Sequence, residues 1–117
     1  MKYVALIYNN PGAFEALSQA ERDQLMSEAD AYLKRFSESG ELVGGGFALA
    51  DAPTGRTVRV RDGLTNVTDG PYAEAKEQLA GFYLLETASI ERAAEIVAHD
   101  PAARFWAVEL RAVVDEG

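Results

Sequence analysis

Residues 79–86 have the sequence LAGFYLLE, a continuous apolar run of residues that favour β-strands. Residues 2–8, KYVALIY, form a second run of this kind, which stops at the turn signal Asn9-Asn10-Pro11-Gly12. Apolar side chains that do not alternate with polar ones are typical of strands buried on both faces. These two segments are therefore predicted to be strands of a sheet that is covered on both sides.

Two helices are predicted from apolar residues that recur every three or four positions. The first spans Ser18–Glu38: Ser18 and Glu21 have the spacing of a capping box, and the helix ends before Ser39-Gly40. The second is capped by Ser89 and ends at Asp100-Pro101. Two such helices can cover one face of an antiparallel sheet.

Shorter strands are predicted between and after these elements. Extended residues from Glu41 to Leu49 are interrupted by Gly44-Gly45-Gly46, which indicates a bulge or the close approach of another backbone or a ligand. Asp62-Gly63 predicts a two-residue hairpin turn, since both central residues of such a turn need positive φ. The last strand is predicted over Phe105–Val113.

The order of elements matches the split β-α-β layout of ferredoxin-like folds, an α+β class with an antiparallel sheet. All 117 residues are predicted to form a single domain. A monomer would leave the second apolar face of the sheet exposed, so we expect a homodimer in which two copies pack sheet against sheet. The interior between them could hold a small molecule of unknown identity.

Composition argues against several classes of function. With 11 Lys and Arg against 19 Asp and Glu, the net charge is −8, so nucleic acid is not a predicted partner. The chain has no cysteine and one histidine, His99, so neither a metal nor another cofactor is predicted. The apolar runs are far shorter than the ~20 residues that span a bilayer, and no signal-peptide pattern is present; we expect a cytoplasmic protein without a membrane partner.

Residues 68–77, TDGPYAEAKE, concentrate ionisable side chains in a connection between two strands. Asp69 or Glu74 is the candidate acid or base, Tyr72 the hydrogen-bond donor and Lys76 the stabiliser of a developing anion. Glu74 and Glu77 are also candidate ligand-binding residues. The alternative is that Asp-Gly-Pro serves as turn chemistry and that the charged residues form a solvated face.

Three further candidates lie outside this stretch. Asp100 is either a second functional acid or a helix-stop residue before Pro101. His99, at the end of a helix, is either a ligand-binding residue or a cap. Arg59 shares a strand face with Arg61, where the two could bind a carboxylate or form the solvent-exposed face of a hairpin. The aromatic residues Phe82, Tyr83, Phe105 and Trp106 are interpreted mainly as core residues.

Residues 62–86, DGLTNVTDGPYAEAKEQLAGFYLLE, resemble the signature of the DGPF group within the YCII-related family, and the resemblance extends along the whole chain. Tyr72 stands where that group usually has phenylalanine, and Ala75 where it usually has threonine. The resemblance implies a dimeric α+β barrel. It also implies a role for Asp100, because some YCII-related proteins are thought to pair an aspartate of an Asp-Pro dipeptide with a histidine on the first helix. No histidine occurs in Ser18–Glu38.

The resemblance leaves three functional hypotheses. The first is a small-molecule-binding protein with cofactor-free lyase or isomerase chemistry carried by Asp69, Tyr72, Lys76 and Asp100, since the wider barrel superfamily includes such enzymes. The second is a non-catalytic binding or signalling module, since DGPF members tend to occur beside extracytoplasmic-function sigma factors. The third is that the motif is purely architectural.

Overall fold

The computed structural model describes residues 1–73 and 75–114, and it confirms an α+β fold. The strands in this part of the chain are β1 (Lys2–Asn9), β2 (Leu42–Ala48), β3 (Arg56–Arg61), β4 (Leu64–Asp69), β5 (Gln78–Glu86) and β6 (Ala107–Ala112). The helices are α1 (Gln19–Glu38), α2 (Ile90–Val97) and α3 (Pro101–Phe105), and a 3₁₀ turn covers Ala52–Thr54. Among these described helices, none is long and apolar enough to cross a membrane.

Four antiparallel strands form the main sheet in the order β2-β5-β1-β6. This is the strand order of a ferredoxin-like fold, as the sequence predicts. The two apolar runs of the sequence are its central strands, β1 and β5. Strands β3 and β4 form a separate two-stranded sheet, joined by a turn in which Asp62 and Gly63 have φ values of 53° and 76°. The predicted hairpin turn is therefore confirmed.

The core lies between the helices and one face of the main sheet. Its buried sheet residues are Tyr3, Ala5, Leu42, Tyr83 and Leu85, and its buried helix residues are Tyr32, Phe36, Ala93, Ile96 and Val97. Successive side chains of a strand point to opposite faces. The residues between the buried ones therefore occupy the other face of the sheet, away from this core.

That other face also carries apolar side chains. Its apolar residues are Val4, Leu6, Phe47, Phe82 and Leu84, and we call these residues the open face; Glu109 and Arg111 of β6 pair with Leu6 and Val4 beside them. Leu6 pairs with Phe82 and Val4 with Leu84 across β1 and β5, and the Phe47 and Phe82 rings lie 6.1 Å apart. Phe47 is 63% exposed and Phe82 is 37% exposed. The sheet thus presents two apolar faces, of which one packs against the helices.

The three consecutive glycines lie where β2 passes close to β5. The pairing register shifts between Leu42 and Gly44 and again between Gly45 and Phe47, so the predicted bulge is confirmed. Gly45 has a φ of 82°, and a Cβ atom added to it would lie 2.7 Å from the Cα atom of Tyr83. The close approach of another backbone, the second reason inferred for the glycines, is also present.

The predicted boundary of the last strand is wrong, because a further helix precedes it. Residues 101–105 form α3, and β6 begins at Ala107 instead of Phe105. Asp100 caps this helix, since its Oδ1 atom accepts the N–H of Ala102 at 2.9 Å. Pro101 fits the first helical position, where a missing N–H has no cost. The Asp-Pro dipeptide thus begins a new helix after α2 has ended.

An ion pair that the sequence does not predict joins α2 to the residue before β2. Arg92 donates from Nε to Glu41 Oε2 and from Nη2 to Oε1, both at 3.0 Å. These hydrogen bonds lower the pKa of Glu41 to about 2. The bidentate contact ties α2 to the segment between α1 and β2.

Candidate functional site

An open cleft of about 580 Å³ lies at the end of β1. Its walls include Tyr8, Asn9 and Asn10 from the end of β1 and the turn that follows, Phe105 and Trp106 from the junction of α3 and β6, and Glu77 from the residues before β5. Pockets for small ligands usually have volumes of roughly 300–1,000 Å³. The cleft is therefore large enough for a small molecule.

Strand pairing brings these distant residues together. Tyr8 pairs with Ala107 of β6, so Trp106 lies beside the end of β1. On the other side of β1, Asn9 pairs with Gln78 of β5, so Glu77 reaches the same end of the sheet. The turn after β1 is closed by the N–H of Ala13, which donates to the Asn10 carbonyl at 2.9 Å. Three segments thus meet at the same end of the sheet.

The residues predicted to act in the motif stretch occupy several environments. Asp69 ends β4, and its Oδ1 atom lies 3.1 Å from Nε of Arg56, its partner across the hairpin; its side chain is 88% exposed. Tyr72 is 72% exposed, and the guanidinium of Arg59 lies 4.8 Å from the centre of its ring. Lys76 is exposed. Glu77 is the residue of this predicted set that lines the cleft.

Glu74 lies outside the described residues. His99 is exposed after the end of α2, and its ring centre lies 6.1 Å from that of Phe36 on α1. Its backbone N–H donates to the carbonyl of Ile96, which closes the last turn of α2. The His99 side chain therefore packs beside α1 and is not among the residues that line the cleft.

Asp100 belongs to a buried hydrogen-bond network. It is 6% exposed, and its Oδ2 atom accepts the Tyr83 hydroxyl at 2.7 Å. The Tyr83 hydroxyl lies 2.9 Å from that of Tyr32 on α1. Since Tyr83 has one proton and donates it to Asp100, Tyr32 is the donor in the second hydrogen bond. Burial raises the pKa values of Asp100, Tyr83 and Tyr32.

Within a single chain, Asp100 is buried, whereas Asp69 and Tyr72 are exposed. Its two carboxylate oxygens are occupied by Tyr83 and by the N–H of Ala102. Among the described residues, no buried side-chain polar atom lacks a hydrogen-bond partner. The network therefore serves as a structural link between α1, β5 and α3.

Comparison with known proteins gives the family of the chain. Residues 1–116 match the family model described as the YCII-related domain. The chain belongs to the YCII-related family. An uncharacterized protein of Rhizobium meliloti (strain 1021) is 39% identical over 93 residues, which are 80% of this chain and 74% of that relative.

This YCII-related chain links its Asp-Pro aspartate to α1 through tyrosines. The resemblance implies a pair formed by the aspartate of the Asp-Pro dipeptide and a histidine on the first helix. In this chain, α1 instead supplies Tyr32, which reaches Asp100 through Tyr83. In residues 1–73 and 75–114, no three acidic or histidine side chains are grouped so that they could hold a metal ion. The described side chains that line the cleft include one carboxylate, two amides and three aromatic rings, those of Tyr8, Phe105 and Trp106.

The sequence interpretation missed several residues that line the cleft. The sequence predicts a strand end and a turn for Tyr8, Asn9 and Asn10, and mainly core positions for Phe105 and Trp106. Both aromatic residues are half-buried. The sequence does contain a signal, because asparagines that follow a central strand lie in a loop at the end of the sheet, where functional sites often lie. The partner segments could not be identified without the strand pairing.

Proposed function

We propose that this YCII-related chain is a homodimeric small-molecule-binding protein of the DGPF group, with its ligand in the cleft beside Glu77. One observation carries the proposal: an acidic residue of the motif stretch lines the same cleft as Tyr8, Phe105 and Trp106. Apolar and aromatic walls with a few polar groups are usual for small-ligand sites. The aromatic rings would supply contact area, and the carboxylate would orient the ligand.

The homodimer is supported by the shape of the chain and by the open face. The body is flat, with extents of 46 × 45 × 19 Å, and its radius of gyration is 16.1 Å. A compact domain of this length has a radius of gyration of about 13 Å. Large apolar patches on one side of a chain usually mark an interface. A second copy packed on the open face would cover Phe47 and Phe82.

A charge on the open face is expected to separate the dimer. In Phe82→Asp, an unpaired carboxylate would have to be buried between the sheets, so the dimer should dissociate at least about 100-fold more readily. Sedimentation equilibrium at micromolar concentration measures this change. Ile90→Asp is the control, because it replaces an exposed apolar residue in the first turn of α2, where a carboxylate is favourable. A wild-type chain that sediments as a monomer contradicts the proposed dimer.

Ligand binding can be followed through the chain's single tryptophan, Trp106, which lines the cleft. A screen of small molecules is expected to yield compounds that change its fluorescence. Glu77→Gln should weaken a ligand that donates a hydrogen bond to the carboxylate by about 10-fold to 100-fold. Glu86→Gln, at the opposite end of β5, should leave the affinity unchanged. Equal affinities for both variants would contradict a role for Glu77.

The finer form of this proposal is cofactor-free acid-base chemistry of the lyase or isomerase type. Its support is the concentration of ionisable residues in the motif stretch and the position of Glu77 at the cleft. Asp69, Tyr72 and Lys76 are exposed in one chain, so they would act on an enclosed ligand only where the second copy covers them. Asp69→Asn in the dimer tests this role, and unchanged affinity and turnover would remove Asp69 from the mechanism.

The second candidate function is a non-catalytic binding or signalling module in sigma-factor-linked transcription. It is favoured by the structural partners that Asp69 and Asp100 already have, namely Arg56 for the first and Tyr83 with α3 for the second. Such a module would bind its ligand without turnover. Pull-down with the intact dimer would then recover a specific partner, and Phe82→Asp would alter that recovery if the partner uses the open face.

A further inference from the structure

We infer that the cleft selects a small organic cation, such as a protonated benzylic amine or a quaternary ammonium compound. This inference rests on the proposed small-molecule binding and adds the charge of the ligand. Among the described residues that line the cleft, Glu77 supplies a carboxylate, and no lysine, arginine or histidine is present. A ligand at this position would therefore meet one negative charge and no positive charge from the wall.

The aromatic side chains of the wall favour the same ligand charge. Tyr8 and Trp106 both line the cleft, since Tyr8 pairs with Ala107, the residue that follows Trp106. The face of an aromatic ring carries negative electrostatic potential, and tryptophan and tyrosine are effective partners for cations. The amide oxygens of Asn9 and Asn10 can accept hydrogen bonds from an ammonium group, although they do not distinguish it from a neutral donor.

Arg104, which contacts the lining residue Phe105, does not oppose this selection. The guanidinium of Arg104 lies 5.2 Å from the centre of the Phe105 ring, and it forms an ion pair with Glu28 of α1. Its charge is thus balanced by Glu28. Phe105 already contacts a cation in this way, so the proposed ligand is assigned to Tyr8, Trp106 and Glu77. The net charge of −8 adds a general attraction for cations.

Three probes of similar size separate the effect of charge from that of aromatic contact. Benzyltrimethylammonium is a cation, benzyl alcohol is neutral and benzoate is an anion at pH 7. Titrations of the full-length chain are followed by Trp106 fluorescence and by the indole N–H signal in NMR spectra. We expect the cation to bind at least about 10-fold more tightly than the alcohol, and benzoate to bind more weakly than both.

Two variants show whether Glu77 is the source of the preference. Glu77→Gln keeps the side-chain size and should reduce the cation's advantage over the alcohol at least about fivefold, with little change for the alcohol. Glu86→Gln should behave as the wild type, and thermal unfolding of both variants verifies that the fold is retained. A preference that survives Glu77→Gln would overturn the assignment to this carboxylate.

The outcomes distinguish the ligand class from the proposed function. Equal binding of the three probes, or tightest binding of benzoate, would overturn cation selection and leave small-molecule binding in the cleft intact. A neutral or anionic ligand from the screen that binds at Trp106 more tightly than benzyltrimethylammonium would do the same. If neither the probes nor the screen changes the Trp106 signals, the proposed function itself is contradicted.

Discussion

Gly45→Ala is expected to destabilise the chain by about 2–5 kcal/mol, whereas Gly44→Ala should change its stability by no more than about 1 kcal/mol. Gly45 has a φ of 82°, and a Cβ atom there would lie 2.7 Å from the Tyr83 Cα atom and 3.0 Å from the Phe82 carbonyl oxygen. A Cβ atom at Gly44 would have no neighbour within 4 Å. The two adjacent glycines therefore form a matched pair.

The physical origin of the Gly45 effect is a contact between two backbones. Alanine would strain the left-handed conformation, and β2 would have to move away from β5 because a backbone atom cannot rotate aside. Urea and thermal unfolding at one fixed protein concentration measure the difference, because self-association of a chain makes its unfolding depend on concentration. Similar losses for the two variants would contradict the close approach of β2 to β5.

Asp100→Ala is expected to destabilise the chain by about 2–4 kcal/mol. The substitution removes the cap of α3, which is worth about 1 kcal/mol, and leaves the buried Tyr83 hydroxyl without its acceptor, which costs about 1–3 kcal/mol. Tyr83→Phe removes that unsatisfied hydroxyl. In urea unfolding, Tyr83→Phe should therefore cost less in the Asp100→Ala background than in the wild type. Additive losses would contradict direct coupling between Asp100 and Tyr83.

The same carboxyl group should also affect how stability depends on pH. Burial raises the pKa of Asp100 above its value of 3.8 in the unfolded chain, so the folded chain binds this proton more tightly. The contribution of Asp100 to stability is then greatest below pH 3.8 and falls as the pH rises through its folded-state pKa. Asp100→Asn removes this titration, so the stability of this variant relative to the wild type should rise with pH. The exposed Asp69→Asn serves as the matched control.

Local signals in the sequence predict much of the fold. The capping box is present, with Ser18 Oγ accepting the Glu21 N–H and Glu21 Oε1 accepting the Ser18 N–H. The Asp62-Gly63 turn has both predicted positive φ values, and the glycine run contains the predicted bulge. Each of these features depends on residues within a few positions of one another, or on the absence of a side chain. Such features do not require knowledge of the strand pairing.

The error at α3 has a local cause of a different kind. Asp-Pro is suited both to end a helix and to begin the next one, because the aspartate can cap and the proline has no N–H to satisfy. The sequence favours neither role at Asp100. The structure uses the second role, since the Tyr83 hydroxyl holds the carboxylate where it can accept the Ala102 N–H.

The order of the elements, the apolar character of both sides of the central strands and the family signature can be read directly along the chain. The set of residues that line the cleft cannot be read in this way. The pairing of β1 with β5 and β6 brings residues 8, 77 and 106 to the same end of the sheet. Periodicity indicates which face a side chain occupies, whereas hydrogen bonds between distant strands select its neighbours. For that reason, tertiary structure separates Glu77 at the cleft from Asp69 on the hairpin and from Asp100 in the core.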